Sequence, residues 1–349
     1  MNRLAVVQCG GPTAVLNASL AGVLAEAGGN VLGVRGGPAG LAKSRLERID
    51  PPADLDRLPG AYLGAGRFEW DEPALEAAAR GLLHAGVRGL ILIGGNGTMS
   101  LARRLAQIAP GLAVIGVPKT VDNDLCGIDH APGYPSGAAF LRRVIPALAH
   151  DQLAMRSIEP VRIVETLGRD TGWLAAAAGT AAGPEAAPHL VFLPEHAASA
   201  DSAVGLIDSV LSRRGWAFVV LAEGALEELS DGRFRRVEHG RPLFGGTARR
   251  LARLVTGKLG VAARGEVLGM AQRSAFALAS DREDAVRYGR DAVRLLGVGA
   301  RSVMAGDRGA IDLQQVAGRT RGVPPEWVGT PEAGSPEFAA WLSELTREG

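Results

Sequence analysis

Three short apolar runs in the first part of the chain each end in a polar turn, and this repetition constrains the fold more than any other feature. Leu4-Ala5-Val6-Val7 leads into Gly10-Gly11-Pro12-Thr13. Leu90-Ile91-Leu92-Ile93 leads into Gly94-Gly95-Asn96-Gly97-Thr98. Residues 113–117 lead into Pro118-Lys119-Thr120-Val121-Asp122-Asn123-Asp124. An apolar run without polar alternation is a strand buried on both faces, which belongs to a parallel sheet covered by helices. Helical spacing over residues 13–27, 72–84 and 98–108 supplies the covering helices, and 31–34 reads as a further strand.

A second series repeats the pattern. Strands are expected at 162–164, 190–193, 218–221 and 266–268, and helices at 136–149, 171–182, 202–212, 247–258 and 281–296. The tail after Gly306 contains Pro324-Pro325 and Pro331 and is expected to be irregular. A chain of 349 residues is long for one core. The reading is α/β, with two Rossmann-like three-layer αβα domains, largely parallel sheets, and a boundary near 132–136.

Composition excludes several functions. A formal charge of +1 offers no basic surface for nucleic acid or membrane. No apolar stretch reaches the roughly 20 residues of a membrane span, and the first residues lack a signal-peptide pattern. The two cysteines, Cys9 and Cys126, lie far apart and outside metal-ligand spacing, which argues against a disulfide framework or zinc site. A reducing, cytoplasmic location fits.

The chemistry is concentrated in the three turns. All follow the carboxyl ends of predicted parallel strands, where open α/β sheets bind ligands. Glycine lets backbone N–H groups approach an anion, and a following helix N-terminus favours negative charge. One such turn alone is as readily an ordinary strand-to-helix connection. Three together, one carrying a lysine and Asp122-Asn123-Asp124, point to phosphate. Transfer of a phosphoryl group to an alcohol needs a carboxylate to take the hydroxyl proton, and usually Mg²⁺ held by acidic oxygens. Asp122 and Asp124 can supply both, although an isolated pair of this kind commonly caps a turn. Lys119 and Arg67, the latter in the turn Gly64-Ala65-Gly66-Arg67, can neutralise phosphate charge.

These segments resemble the phosphofructokinase family. Gly10-Gly11-Pro12-Thr13-Ala14-Val15-Leu16-Asn17 is similar to its first glycine loop, and Lys119-Thr120-Val121-Asp122-Asn123-Asp124 to its PKTIDND signature. Leu167-Gly168-Arg169 resembles its MGR motif, Ala222-Glu223-Gly224 its sugar-binding glutamate segment, and Gln272-Arg273 its QRGG turn. Arg264 lies five residues before Gly269, as in the family pattern.

The resemblance implies Mg²⁺-dependent transfer of a phosphoryl group to the 1-hydroxyl of fructose 6-phosphate, giving fructose 1,6-bisphosphate in glycolysis. Asp122 would be the base and Asp124 would orient the site and its magnesium, with Asn96 as a second metal-side residue. Thr120, Arg67 and Lys119 would meet the transferring group. Gly10, Gly11, Gly95, Asn96, Gly97 and Thr98 would hold the donor. Leu167, Gly168, Arg169, Glu223 and Arg273 would hold the sugar phosphate, and Arg264 would reach it from a neighbouring subunit of a homodimer or homotetramer. Residues 1–131 plus about 273–300 would form the donor domain, and 132–272 plus about 301–349 the sugar-phosphate domain.

The chain departs from the family's ATP-using members. Asn96 replaces an acidic residue, Met270 a histidine, Ser274-Ala275 a glycine pair, and Pro160 an arginine, with Arg162 two positions late. In the family a lysine at 119 accompanies pyrophosphate, whereas glycine at 97 leaves room for ATP. Pyrophosphate is therefore placed ahead of ATP as donor. An NAD or lipid kinase would explain only residues 94–98. A regulatory sugar-phosphate-binding paralogue would suit Asn96, Met270 and Pro160 but not the retained Asp122, Arg67 and Lys119.

Overall fold

The computed structural model describes residues 3–29, 31–229, 237–238, 241–242 and 245–347. Its strands, numbered along the chain, are β1 (Arg3–Gln8), β2 (Val31–Val34), β3 (Leu46–Arg48), β4 (Val87–Gly94), β5 (Ala113–Pro118), β6 (Val161–Thr166), β7 (Leu190–Phe192), β8 (Ala217–Ala222), β9 (Val237–Glu238), β10 (Arg241–Pro242), β11 (Ala263–Val267), β12 (Val303–Gly306) and β13 (Gly309–Asp312). The chain divides into two compact units. The first comprises residues 1–136, 273–321 and the last two residues; the second comprises 137–272 and 322–347.

The first unit carries a seven-stranded sheet in the order β13-β12-β5-β4-β1-β2-β3. Its inner pairs are parallel, and β3 and β13 are antiparallel edges. Alternate residues face opposite sides of a strand. Val6, Ile91, Ile93, Ile115 and Val117 therefore pack with Leu16, Leu20 and Tyr288. Ala5, Val7, Leu90, Leu92 and Val114 pack on the other face with Leu75, Met99 and Leu105. Two buried faces explain the unbroken apolar runs. Each fully buried Val, Leu or Ile contributes roughly 1.5–3 kcal/mol.

Helices Leu16–Ala27 and Ala279–Gly297 approach backbone to backbone on the first of these faces. A Cβ on Gly22 would stand 2.1 Å from the Val286 carbonyl oxygen, and one on Gly289 would stand 2.2 Å from that of Ser19. The chain leaves β1 toward β2 on one side and returns with β4 on the other. That reversal opens a crevice at the carboxyl ends of β1 and β4.

The second unit has a four-stranded sheet, β11-β6-β8-β7, parallel throughout. Its core includes Phe192, Phe218, Val219 and Leu221, all fully buried. The tail is ordered, contrary to the expectation from its prolines. β12 pairs in parallel with β5 and β13 folds back on β12, so residues 301–321 extend the first sheet. Helix Pro336–Leu345 then packs Phe338 and Trp341 around Trp173, with ring centroids 6.1 and 5.8 Å away. Proline stands at the first helical positions of Pro325–Val328 and Pro336–Leu345, where its missing N–H costs nothing.

Candidate active site

In the first unit main-chain bonds tie the first turn to residues 64–67 and the second turn to the third. Gly10, at φ 73°, adopts a conformation that favours glycine. Its N–H donates to the Gly66 carbonyl (2.8 Å) and Gly66 N–H donates back (2.9 Å), so the neighbouring Arg67 is carried to the first glycine loop. Lys119 N–H donates to the Gly94 carbonyl at 3.1 Å, joining the second and third turns.

Lys119 is the electrostatic centre of this region. The residue is only 3% exposed. Its Nζ donates to the carbonyl oxygens of Gly11 at 2.7 Å and Cys9 at 3.2 Å. Burial lowers its pKa to about 8, with Arg273 and Arg67 pushing the same way and Asp122 opposing. Burial pushes the Cys9 thiol up to about 12, so it is an un-ionised packing group. Arg273 lies against Gly11: a Cβ there would stand 2.0 Å from its Nη1. Burial also lowers the Arg273 pKa, opposed by Asp122 and assisted by Arg67.

The acidic turn is built as a local device. Asp122 N–H donates to Thr120 Oγ1 at 3.1 Å. Asn123 takes a positive φ of 52°, a conformation asparagine tolerates, and its Oδ1 accepts from Ala131 N–H at 2.9 Å. Asn96 Nδ2 donates to the Asp124 carbonyl at 2.9 Å and to Asp124 Oδ2 at 2.7 Å. Asn96 Oδ1 is buried and makes no hydrogen bond among the described residues. Helix Asn96–Ile108 begins here without a side-chain cap, leaving its first N–H groups for another acceptor. Thr98 is buried in that first turn, and Gly97 is exposed.

In the second unit, Leu167, Gly168 and Arg169 follow the carboxyl end of β6. Gly168 is at φ 130°, and a Cβ there would meet the Thr171 carbonyl at 2.5 Å. Its own carbonyl accepts from Gly224 N–H at 3.1 Å, and Glu223 N–H donates to the Thr166 carbonyl at 3.0 Å. The glutamate segment and the 167–169 turn are therefore neighbours. Arg169 Nε donates to both Asp170 oxygens at 3.0 and 2.9 Å. Buried Gln272 accepts from Leu167 N–H at 3.1 Å through Oε1.

Arg264 lies elsewhere. It sits at the amino end of β11, opposite Arg162 in the parallel register, whereas the 167–169 turn lies five residues further along. At about 3.3 Å per residue that is roughly 16 Å. Its guanidinium is exposed, and Nε lies 2.7 Å from both oxygens of Glu159. Arg162 is buried and faces Asp151 at 2.5 Å, with Glu159 and Glu266 each at 3.6 Å. Met270 is 54% exposed.

Sequence reading missed the Gly10–Gly66 bridge, since no residue type marks it. It also missed Glu165, whose Oε1 and Oε2 accept from Gly246 and Ala248 N–H at 2.9 Å each, capping helix Thr247–Leu259. Burial raises the Glu165 pKa against those bonds.

A doubly wound α/β unit with three phosphate-type turns meeting at its strand reversal defines a phosphate-handling protein. Residues 3–296 match the model of the phosphofructokinase family, and the chain belongs to that family of phosphotransferases. It is 35% identical over 321 residues to a sulfofructose kinase from Alkalicoccus urumqiensis, covering 87% of this chain and 83% of the relative. It is 33% identical to an ATP-dependent 6-phosphofructokinase from Corynebacterium efficiens, covering 93% and 97%. The crystal structure of a pyrophosphate-dependent phosphofructokinase from Marinobacter aquaeolei superposes with a TM-score of 0.85 at 27% identity, covering 100% of this chain and 93% of the other. Among the described residues no helix is long and apolar enough to cross a membrane.

Proposed function

We propose that this chain is a 6-phosphofructokinase that takes its phosphoryl group from pyrophosphate. The observation that carries the donor assignment is Lys119, a buried ammonium held by two carbonyl oxygens at the first glycine loop. Carbonyls orient a cation without neutralising it, so its charge is directed at an anion. A desolvated charge of this kind strengthens hydrogen bonds to phosphate oxygens.

In this reading Asp122 takes the proton of the fructose 6-phosphate 1-hydroxyl. That oxygen attacks the terminal phosphorus, the bridging P–O bond breaks, and inorganic phosphate leaves with the electron pair. Thr120, Arg67 and Lys119 hold the transferring group, while Gly10, Gly11, Gly95, Asn96, Gly97 and Thr98 hold the donor. Leu167, Gly168, Arg169 and Glu223 hold the sugar. Arg264 serves a neighbouring copy in a cytoplasmic homodimer or homotetramer, which fits its distance along the strand from the 167–169 turn.

Among the described residues no group of three or more His, Cys, Asp or Glu side chains is placed to hold a metal ion, so no all-protein metal cage is present there. Mg²⁺ does not require one, since it commonly binds through one or two protein oxygens, water and substrate phosphates. The buried Asn96 Oδ1 and the adjoining Asp124 carboxylate fit that use. When bound, magnesium would neutralise charge on the phosphate oxygens.

A second acceptor is favoured by one observation. Met270, more than half exposed, stands where the family pattern carries a histidine, and Arg264 already faces Glu159. A sulfonate carries one negative charge where a phosphate carries nearly two, so it needs fewer cations. The likeness to a sulfofructose kinase points the same way. The deciding assay offers pyrophosphate and ATP in parallel, each with fructose 6-phosphate and with 6-deoxy-6-sulfofructose. ATP turnover equal to or above that with pyrophosphate overturns the donor assignment. A clear preference for the sulfonate overturns the acceptor assignment.

A further inference from the structure

We propose that Gln8 and Asn17 are positioning residues: their buried side-chain amides fix the segment that carries Arg67 and so hold its guanidinium on the transferring phosphoryl group. This rests on the role given to Arg67 in the proposed function.

Residues 49–71 join β3 to helix Glu72–His84, and their only regular element is one turn of 3-10 helix, Leu55–Arg57. No continuous ladder of main-chain bonds fixes this segment. Leu55 and Leu63 bury their side chains in the core, but apolar contact is non-directional and does not set where the main chain lies. Direction comes from two amides. Gln8 ends β1 and Asn17 lies in the first turn of helix Leu16–Ala27; both are buried.

Asn17 Nδ2 donates to the Leu58 carbonyl at 2.9 Å, and Asn17 Oδ1 accepts from Tyr62 N–H at 2.8 Å. Gln8 Oε1 accepts from Leu63 N–H at 2.9 Å. Gln8 Nε2 donates to Asn17 Oδ1 at 3.0 Å and to the Leu16 carbonyl at 3.2 Å. A main-chain N–H only donates and a carbonyl only accepts, so these partners settle which way each amide faces. The segment is thus clamped over 58–63 by the two amides and at Gly66 by Gly10, one residue before Arg67. Lys119 Nζ is bonded to the carbonyls of Cys9 and Gly11. Both proposed phosphate cations are therefore placed relative to one short stretch, residues 8–11. An apolar side chain at position 8 would leave the buried Leu63 N–H without its acceptor, and the segment would move to satisfy it. A displacement of about 1 Å at a group that meets the reacting atoms costs up to about 100-fold in rate.

The test is a double-mutant cycle on the full chain. It compares wild type, Gln8→Met, Arg67→Ala and the double variant, using whichever of the four donor and acceptor pairs above wild type turns over fastest. Gln8→Met is expected to lower kcat by about tenfold while both KM values stay within about twofold. In the Arg67→Ala background the same substitution should change kcat by less than about twofold, because the group it positions is gone. An equal loss in both backgrounds, an unchanged kcat in the Arg67 background, or a loss confined to KM would overturn the role. Thermal midpoints report folding, and Asn17→Ala replaces Gln8→Met in the cycle if the latter does not fold. If neither folds, the amides are elements of the fold and the positioning role is rejected. Wild type inactive with all four pairs overturns the proposed function and this role with it; an active wild type with an additive cycle overturns the role alone.

Discussion

The candidate-site cations of the two units are held in different ways. In the first unit, Lys119 is buried and faces carbonyl oxygens, and Arg273 lies over a glycine. In the second, Arg264 faces Glu159, Arg162 faces Asp151, and Arg169 is bonded to Asp170. A cation held by carbonyls keeps its field for a ligand. A cation held by a carboxylate has spent most of it and must exchange partners to bind an anion. In the proposed function the first-unit pair is preorganised for phosphate, whereas Arg264, Arg162 and Arg169 in the second are already balanced by carboxylates. Electrostatic preorganisation is the larger lever on rate, so substitutions in the first unit should cost more.

The largest effect is expected at Asp122. Asp122→Asn should lower kcat by about two to four orders of magnitude, the usual worth of a general base, with an unchanged thermal midpoint. Near-normal turnover in a folded variant would remove the base from the acidic turn.

Lys119 comes next. Lys119→Met should lower kcat/KM for pyrophosphate by about 100-fold and for ATP by less. Equal losses would make the lysine general phosphate-binding equipment. Its pKa of about 8 adds a pH signature. The ammonium is charged below that value and neutral above it, so kcat/KM for pyrophosphate should fall as pH rises through about 8. Lys119→Arg, which stays charged, should move that limb upward. The same shift has a stability consequence. The unfolded chain holds the Lys119 proton up to about 10.5 and the folded chain only to about 8. Stability from this group therefore rises with pH across that window, which denaturant titration can read.

The smallest effects belong to the second unit. Arg264→Ala should raise KM for the sugar phosphate by about tenfold, and Glu159→Gln should lower it by about two- to threefold by releasing the arginine. Mixing Arg264→Ala chains with Asp122→Asn chains should restore turnover at the wild-type KM for sugar phosphate through hybrid sites. Well-mixed hybrids that show only the raised KM would end the shared-site assignment. If Glu159→Gln raised KM instead, the carboxylate would be positioning the arginine and the contrast between the units would fail.

The sequence by itself determined the layered α/β architecture and the location of the phosphate turns. Both depend on local patterns: strands buried on two faces read as unbroken apolar runs, and the turns fall where those runs end. It did not reveal β12 and β13, because Gly306 and Gly309 interrupt the apolar pattern there and the two strands exist by pairing with β5 and with each other. Only the tertiary structure set Arg67 beside Gly10, laid Arg273 over Gly11 and buried Lys119 against two carbonyls. Those contacts join residues more than fifty positions apart through backbone groups that every residue shares. No side-chain pattern can announce a main-chain hydrogen bond, and the pKa of a lysine follows from what covers it and not from its neighbours in the chain.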